Sequence, residues 1–521
     1  MQGRIDALKR RQTDEPGPEP AEERAMSTRL PPDFDAGRLV MVDITGTSLD
    51  AATADFLRQQ RIRAVCLFRK NLGTEAQVRQ LTRDLRAVMG PQALIGLDQE
   101  GGSVVRATFL PQPPSAMSLG AAGDEALATQ VGAAVARGLR GIGINWNFAP
   151  VVDINNNPAN PVIAERSFGE SAETVTRLAG AWMQGSLSEG VACCIKHFPG
   201  HGDTHVDSHL DLPTVAKSRA ELDALELRPF RALREAAPSV MTAHIVYPAI
   251  DPDYPATLSR TILGGILREE LGYDGVVITD ALMMKAIADR YGYARAAVLA
   301  IQAGADMILA QGSLAEQAQA IDALRQGLAR GDIAPERALQ AQARLDRMAD
   351  RYPVRLDDYA GAQREADDAL MRQAWARGLC ALRGAQAPSR DLPLRVLVQD
   401  EVPTDGVSEA GPTGEQVRAL FRDHTAVEFV SLQDISSLDW QTLPRDGRFT
   451  VLASTHRARY GERARTWSPD LHLVLWNPFQ ALDVAAPTVI SWGYADGALG
   501  ALGDWMCGRL SASGRSPVTL D

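Results

Sequence analysis

Residues 196–209 read Lys196-His197-Phe198-Pro199-Gly200-His201-Gly202-Asp203-Thr204-His205-Val206-Asp207-Ser208-His209, and they hold four of the eight histidines in a chain of 521 residues. The histidines fall four apart, at 197, 201, 205 and 209. On a helix that spacing would align the imidazoles on one face. Pro199, Gly200 and Gly202 argue against a helix, because proline removes a backbone donor and glycine adds backbone entropy. The stretch therefore reads as a loop leaving the apolar strand Val191–Ile195. Three readings fit it. One is a hydrogen-bonded surface loop, and the second is a metal site built from His and Asp. The third is a general acid/base: Asp207 accepts from one ring nitrogen of His209, leaving the other to carry a proton near neutral pH.

Elements that could position such a loop recur along the chain. Short apolar runs at Leu39–Ile44, Ile62–Phe68, Ala93–Leu97, Ile142–Phe148, Val191–Ile195, Val240–Ile245, Val276–Thr279 and Asp306–Leu309 read as strands. Between them, Thr74–Val88, Glu125–Leu139, Ser171–Leu187 and Arg219–Ala236 have helical spacing of apolar residues, several behind a capping Ser, Thr or Asp. Strands that are apolar throughout and separated by helices mean a parallel sheet covered on both faces. Eight such units predict a (β/α)8 TIM barrel, with a doubly wound sheet as the alternative. A barrel carries its chemistry at the C-terminal strand ends. There the sequence places Asp98, Asn145 and Asn147, Lys196 and His197, His244, and Asp280.

Helices at 314–329 and 335–351 close this first domain, expected over 36–351. Residues 352–392 read as a connector. Five further strands from Leu394 onward predict a smaller α/β sandwich domain over 393–521 without a comparable cluster of histidines or carboxylates. The run Arg457, Arg459, Tyr460, Arg463, Arg465, Trp467 reads as a solvated loop, with contact to an anionic partner as the alternative. Residues 1–35 mix both charge signs with Pro16, Pro18 and Pro20 and are expected to be a disordered leader, with Met26 an alternative start.

A hydrophobic content of 45% with 23% charged residues is that of a globular protein, and a net charge of −11 argues against nucleic acid as a partner. No apolar run is long enough to span a membrane. Five cysteines without a CxxC pair suit reduced thiols and a cytoplasmic setting. Oligomeric state is not readable from the chain.

Several motifs occur together. The loop 196–209, Leu97-Asp98-Gln99-Glu100-Gly101-Gly102 with Arg106, Glu165-Arg166-Ser167-Phe168-Gly169, Met241-Thr242-Ala243-His244, and Ile278-Thr279-Asp280-Ala281-Leu282-Met283 resemble the β-N-acetylhexosaminidases of glycoside hydrolase family 3. The resemblance covers about residues 36–350. Ile490–Tyr494 and Gly514–Leu520 are similar to that family's second domain. The resemblance implies a retaining enzyme with Asp280 as nucleophile and His209, paired with Asp207, as acid/base. Asp98, Arg106, Arg166, Lys196 and His197 would bind the innermost sugar. It implies a small glycan as substrate, such as a muropeptide fragment, and no metal or other cofactor. The alternatives are a β-glucosidase or an N-acetylglucosaminide phosphorylase on the same scaffold, since a neutral imidazole does not repel phosphate, or a metal-dependent hydrolase using the His-rich loop.

Overall fold

The computed structural model describes residues 30–31, 34–205, 212–404, 407–408 and 410–520. The chain divides into residues 1–34 and 35–521. Of the first unit only Leu30, Pro31 and Phe34 are described, the Phe34 amide donating to the Pro31 carbonyl at 2.9 Å. The expectation of a disordered leader falls almost wholly outside the described residues.

Eight parallel strands close into a barrel in chain order: β1 (Val40–Asp43), β2 (Ala64–Cys66), β3 (Leu94–Leu97), β4 (Trp146–Asn147), β5 (Ala192–Phe198), β6 (Ser239–Thr242), β7 (Val276–Ala281) and β8 (Met307–Ala310), with β8 pairing back onto β1. Every strand residue is buried except Asp280, which is partly exposed. Burial on both faces is why the strand runs are apolar throughout rather than alternating.

The helices begin where cap residues dictate. Thr74, Asp124 and Ser171 accept from the amides of Gln77, Leu127 and Thr174, opening helices Glu75–Met89, Glu125–Gly141 and Ala172–Ser188. Each such cap contributes about 1 kcal/mol. The last two helices press together at Gly132 and Gly185, where an added Cβ would lie 2.0 Å from the Trp182 and Thr129 carbonyl oxygens respectively. The helix expected over 219–236 is two helices, Arg219–Ala224 and Leu227–Leu233. Pro229 falls in the first turn of the second, where its missing N–H is harmless but a continuous helix would be interrupted.

Beyond the barrel, helix Gly361–Gly378 leads into β9 (Cys380–Leu382), the edge of a second sheet with β10 (Leu394–Gln399), β11 (Val427–Leu432), β12 (Phe449–Ser454), β13 (Leu471–Val474) and β14 (Thr488–Ile490). Its spatial order is β9-β14-β13-β12-β10-β11, and only β9 runs antiparallel to its neighbour. Leu394, Val396 and Val398 pack with Val417, Leu502 and Trp505 in one cluster. Leu397 and Leu452 pack with Tyr460 and Trp467 in another. The reading of 457–467 as a solvated loop is therefore overturned for its aromatic residues. Arg457 is buried as well, and Arg459 is tied to Asp483 (Nε–Oδ2 3.2 Å), because the segment lies across the sheet and supplies part of its cover.

Candidate active site

The C-terminal ends of the barrel strands enclose a cavity of about 540 Å³ lined by Asp98, Glu100, Arg106, Arg166, Lys196, His197 and Asp280, among others. Three local devices put these side chains there. Asp98 follows β3, and the chain then turns through a hairpin of Gln99–Gly101 against Val104–Val105, which brings Glu100 and Arg106 to the same rim. Asn147 fixes that hairpin by pairing its amide with the Gln99 backbone (3.0 and 3.1 Å), and the Gln99 side chain accepts from the amides of Arg106 and Ala107. On β5 the pairing slips between Ile195 and Phe198, three steps facing two on β6. A bulge of this kind re-aims side chains that would otherwise alternate, and here both Lys196 and His197 reach the cavity. Arg166 comes from the short turn Ala164–Arg166.

Charge is arranged as a closed network. Lys196 Nζ lies 2.7 Å from Asp98 Oδ1 and 2.6 Å from Glu100 Oε1. Arg166 grips Glu100 with two parallel bonds of 2.8 and 2.9 Å, and Arg106 stands 3.7 Å from Asp98. Burial opposes the charge on Glu100, but Arg166 and Lys196 overcome it and hold its carboxyl well below the usual range. Burial likewise opposes the charge on Lys196, and Asp98 and Glu100 raise its pKa despite it. Beneath the floor, Asp153 accepts from His197 Nδ1 at 2.7 Å and from the His197 and His201 amides at 3.0 and 2.7 Å. Burial, then the adjacent His197, pushes His201 down to about 4.

Asp280, late in β7, accepts from the Ala281 amide at 2.8 Å. The Ala281 carbonyl lies 3.0 Å from His244 Nε2, whose other ring nitrogen meets Thr257 Oγ1 at 2.8 Å. His244, Asn145 and Asn147 are therefore not in the cavity lining as their strand-end positions suggested. Asn145 bonds the Ile95 amide and the Ala93 and Tyr352 carbonyls, supporting β3 instead. Among the expected site residues, Asp98, Arg106, Arg166, Lys196, His197 and Asp280 share one cavity. Asp207 and His209 lie outside the described residues.

Among the described residues no group of three His, Cys, Asp or Glu side chains is placed to hold a metal ion. His197 Nδ1 is engaged by Asp153 and His201 Nδ1 by Thr204 Oγ1 at 3.0 Å. His205 Nδ1 lies 3.3 Å from Asn157 Nδ2. The imidazoles at 197 and 201 are thus serving local hydrogen bonds.

Several participants were not singled out in the sequence. Glu100 sits two residues beyond Asp98, so an extended hairpin strand carries both toward one side, a signal available from spacing alone. Asp153 follows the fourth strand run and was readable only as one more strand-end carboxylate. Asp43, paired with Lys70 at 2.6 Å, and Thr404, Val407 and Ser408 of the second domain also line the cavity. The contribution of the second domain had no sequence signal.

The rim thus combines the Asp280 carboxylate on the seventh strand with Lys196 on the fifth and with Asp98, Glu100 and Arg106 after the third. The family model described as "Glycosyl hydrolase family 3 N terminal domain" matches residues 33–348. The β-hexosaminidase of Pseudomonas aeruginosa is 34% identical over 351 residues, covering 67% of this chain and 98% of its own. β-Hexosaminidase A of Pseudoalteromonas piscicida is 40% identical over 290 residues, which is 50% of this chain but only 48% of that longer relative. The solved glycoside hydrolase family 3 β-N-acetylglucosaminidase from Paenibacillus sp. str. FPU-7 superposes with a TM-score of 0.81 at 33% identity, covering 93% of this chain and 98% of that one. The chain belongs to glycosyl hydrolase family 3.

Proposed function

We propose that the protein is a retaining exo-β-N-acetylhexosaminidase that removes terminal N-acetylglucosamine from small β-linked glycans such as muropeptide fragments. In this reading Asp280 attacks the anomeric carbon and forms a glycosyl-enzyme. His209, its imidazolium favoured by Asp207, protonates the leaving oxygen and then deprotonates water. Asp98, Arg106, Arg166, Lys196 and His197 hold the hydroxyls of the innermost sugar. The barrel over 36–351 carries the chemistry, and the 393–521 domain supports it.

The observation that carries the proposal is that Asp280 shares a single cavity with those five side chains. The volume suits a small ligand. A network already satisfied internally can exchange its hydrogen bonds for those of a polyhydroxylated ring without stranding a buried charge. Buried free thiols at Cys66, Cys193, Cys194 and Cys380 favour action in a reducing, cytoplasmic setting. Among the described residues no helix is long and apolar enough to cross a membrane.

The test is a side-by-side assay with nitrophenyl β-N-acetylglucosaminide and nitrophenyl β-glucoside. Preferential turnover of the first, abolished in Asp280→Ala, is expected. Preference for the glucoside would move the protein to the β-glucosidases, and full activity in Asp280→Ala would end the assignment of the nucleophile.

A further inference from the structure

Arg457 belongs to the second domain, on the segment after β12, yet its guanidinium bridges that domain to the barrel. One terminal nitrogen donates to Ser408 Oγ at 2.8 Å and the other to the Val162 carbonyl at 2.8 Å. The same carbonyl accepts from Arg166 Nη1 at 3.1 Å. Two arginines, one from each domain, therefore share one acceptor, and one of them is the arginine clamped to Glu100 in the cavity.

The surroundings tie the same turn from its other side. Arg457 lies over the Trp476 ring, 5.9 Å from its centroid, and the Trp476 indole donates at 2.9 Å to the carboxylate of Glu165, the residue before Arg166. Glu165 also bonds Ser103, whose hydroxyl accepts from Ser408 Oγ at 3.2 Å. Val407 packs on Val162 and Ile163, and its carbonyl accepts from Arg106 at 3.0 Å. Ala164, in the middle of the turn, has φ +42, a conformation that an L side chain holds only when neighbours fix it.

We infer that Arg457 is a positioning residue for sugar binding: acting from the second domain, it fixes the 162–166 turn and thereby the direction of Arg166 in the cavity. This rests on the reading of Arg166 as a sugar ligand. A buried arginine held on the Ser408 hydroxyl, the Val162 carbonyl and an indole ring loses little by remaining ordered when substrate arrives, so the turn is set before binding.

Arg457→Met keeps the long apolar stem over Trp476 and removes the donors. The expected result is a rise of about tenfold in KM for the aryl N-acetylglucosaminide and in the inhibition constant of N-acetylglucosamine, as for loss of one charge-assisted hydrogen bond, with kcat changed less than about threefold. In an Arg166→Ala background the same change should add nothing; additive losses would show that Arg457 does not act through Arg166 and would overturn the inference. Arg459→Ala, which breaks only the Asp483 pair of the same segment, should leave KM unchanged.

Amide hydrogen exchange of residues 164–167 should quicken in Arg457→Met and not in Arg459→Ala, and unchanged exchange would overturn the inference. That readout needs no turnover, so it stands even if the wild type cleaves no hexosaminide, in which case only the functional proposal fails. Should Arg457→Met not fold, Arg457→Lys keeps the charge and one donor, and it should shift KM and exchange in the same direction by less; no shift in either would overturn the inference.

Discussion

Replacing Glu100 by glutamine probes the charge network most sharply. Its side chain is 6% exposed, and its partners Arg166 and Lys196 are 5% and 2% exposed. Glutamine preserves the shape but turns one oxygen into an NH2 that faces donors, and it leaves Lys196 with Asp98 and Arg166 with the charges of Asp153 and Asp98. Removing one member of a buried, hydrogen-bonded ion cluster costs about 3–5 kcal/mol. A solvent-exposed pair such as Arg58–Asp55, 57% and 64% exposed, is worth about 1 kcal/mol at most. With an unfolding entropy of about 2 cal/mol/K per residue, the compact unit of residues 35–521 loses about 3–5 °C in Tm for that cost.

Thermal unfolding of Glu100→Gln and wild type by circular dichroism at pH 7 checks this. The sign of the pH dependence follows from the depressed carboxyl. The stability Glu100 supplies is complete above its ordinary value of 4.5 and fades as the pH falls below it toward the folded value, because the unfolded chain takes up the proton first. The gap between the two proteins should therefore narrow on acidification. A shift under about 1 °C at pH 7, against the several degrees expected from the burial argument, or a gap that widens in acid, would refute the reasoning.

Further outcomes are open to direct measurement. His201 is held down to about 4 by burial and by His197, so the folded protein resists a proton that the unfolded chain accepts from its ordinary 6.5 downward. Stability should fall between pH 6.5 and 4, and His201→Gln should flatten that slope; parallel curves would contradict the cause given. His209→Ala should lose about 10²–10⁴-fold on a natural disaccharide but spare aryl glycosides with good leaving groups, since only the first needs a proton donor. Equal losses would count against His209 as the acid. Asp207→Ala should shift the acid limb of the pH–rate profile, and an unchanged limb would leave Asp207 a purely structural residue. Prolonged treatment with a chelator should leave turnover intact; loss restored by zinc would revive the metal reading of the His-rich loop.

The barrel was legible because its strands are buried on both faces, so their composition alone marks them, and because residues such as Thr74, Asp124 and Ser171 cap the helices between them. The cavity was legible in part for a related reason: a closed barrel forces Asp98, Lys196 and Asp280 to one rim whatever the loops do. Asn145, Asn147 and His244 occupy equivalent strand-end positions and yet satisfy backbone groups. Strand position fixes which end of the barrel a side chain occupies, but neighbours decide whether it faces the cavity. The edge strand Cys380–Leu382 escaped notice because three residues carry no periodicity. Arg457 was misread because its burial depends on Val162 and Ser408, residues 295 and 49 positions away in the chain, and no local pattern encodes such a contact.

The claim on which the functional account turns is that the Asp280 carboxylate bonds to the sugar. Reaction with a 5-fluoro N-acetylglucosaminyl fluoride, followed by proteolysis and mass spectrometry, tests it directly. The account predicts a single glycosylated peptide with the adduct on Asp280, absent in Asp280→Ala. An adduct on Asp98, Glu100 or any other carboxylate, or steady release of product without an adduct, would contradict it.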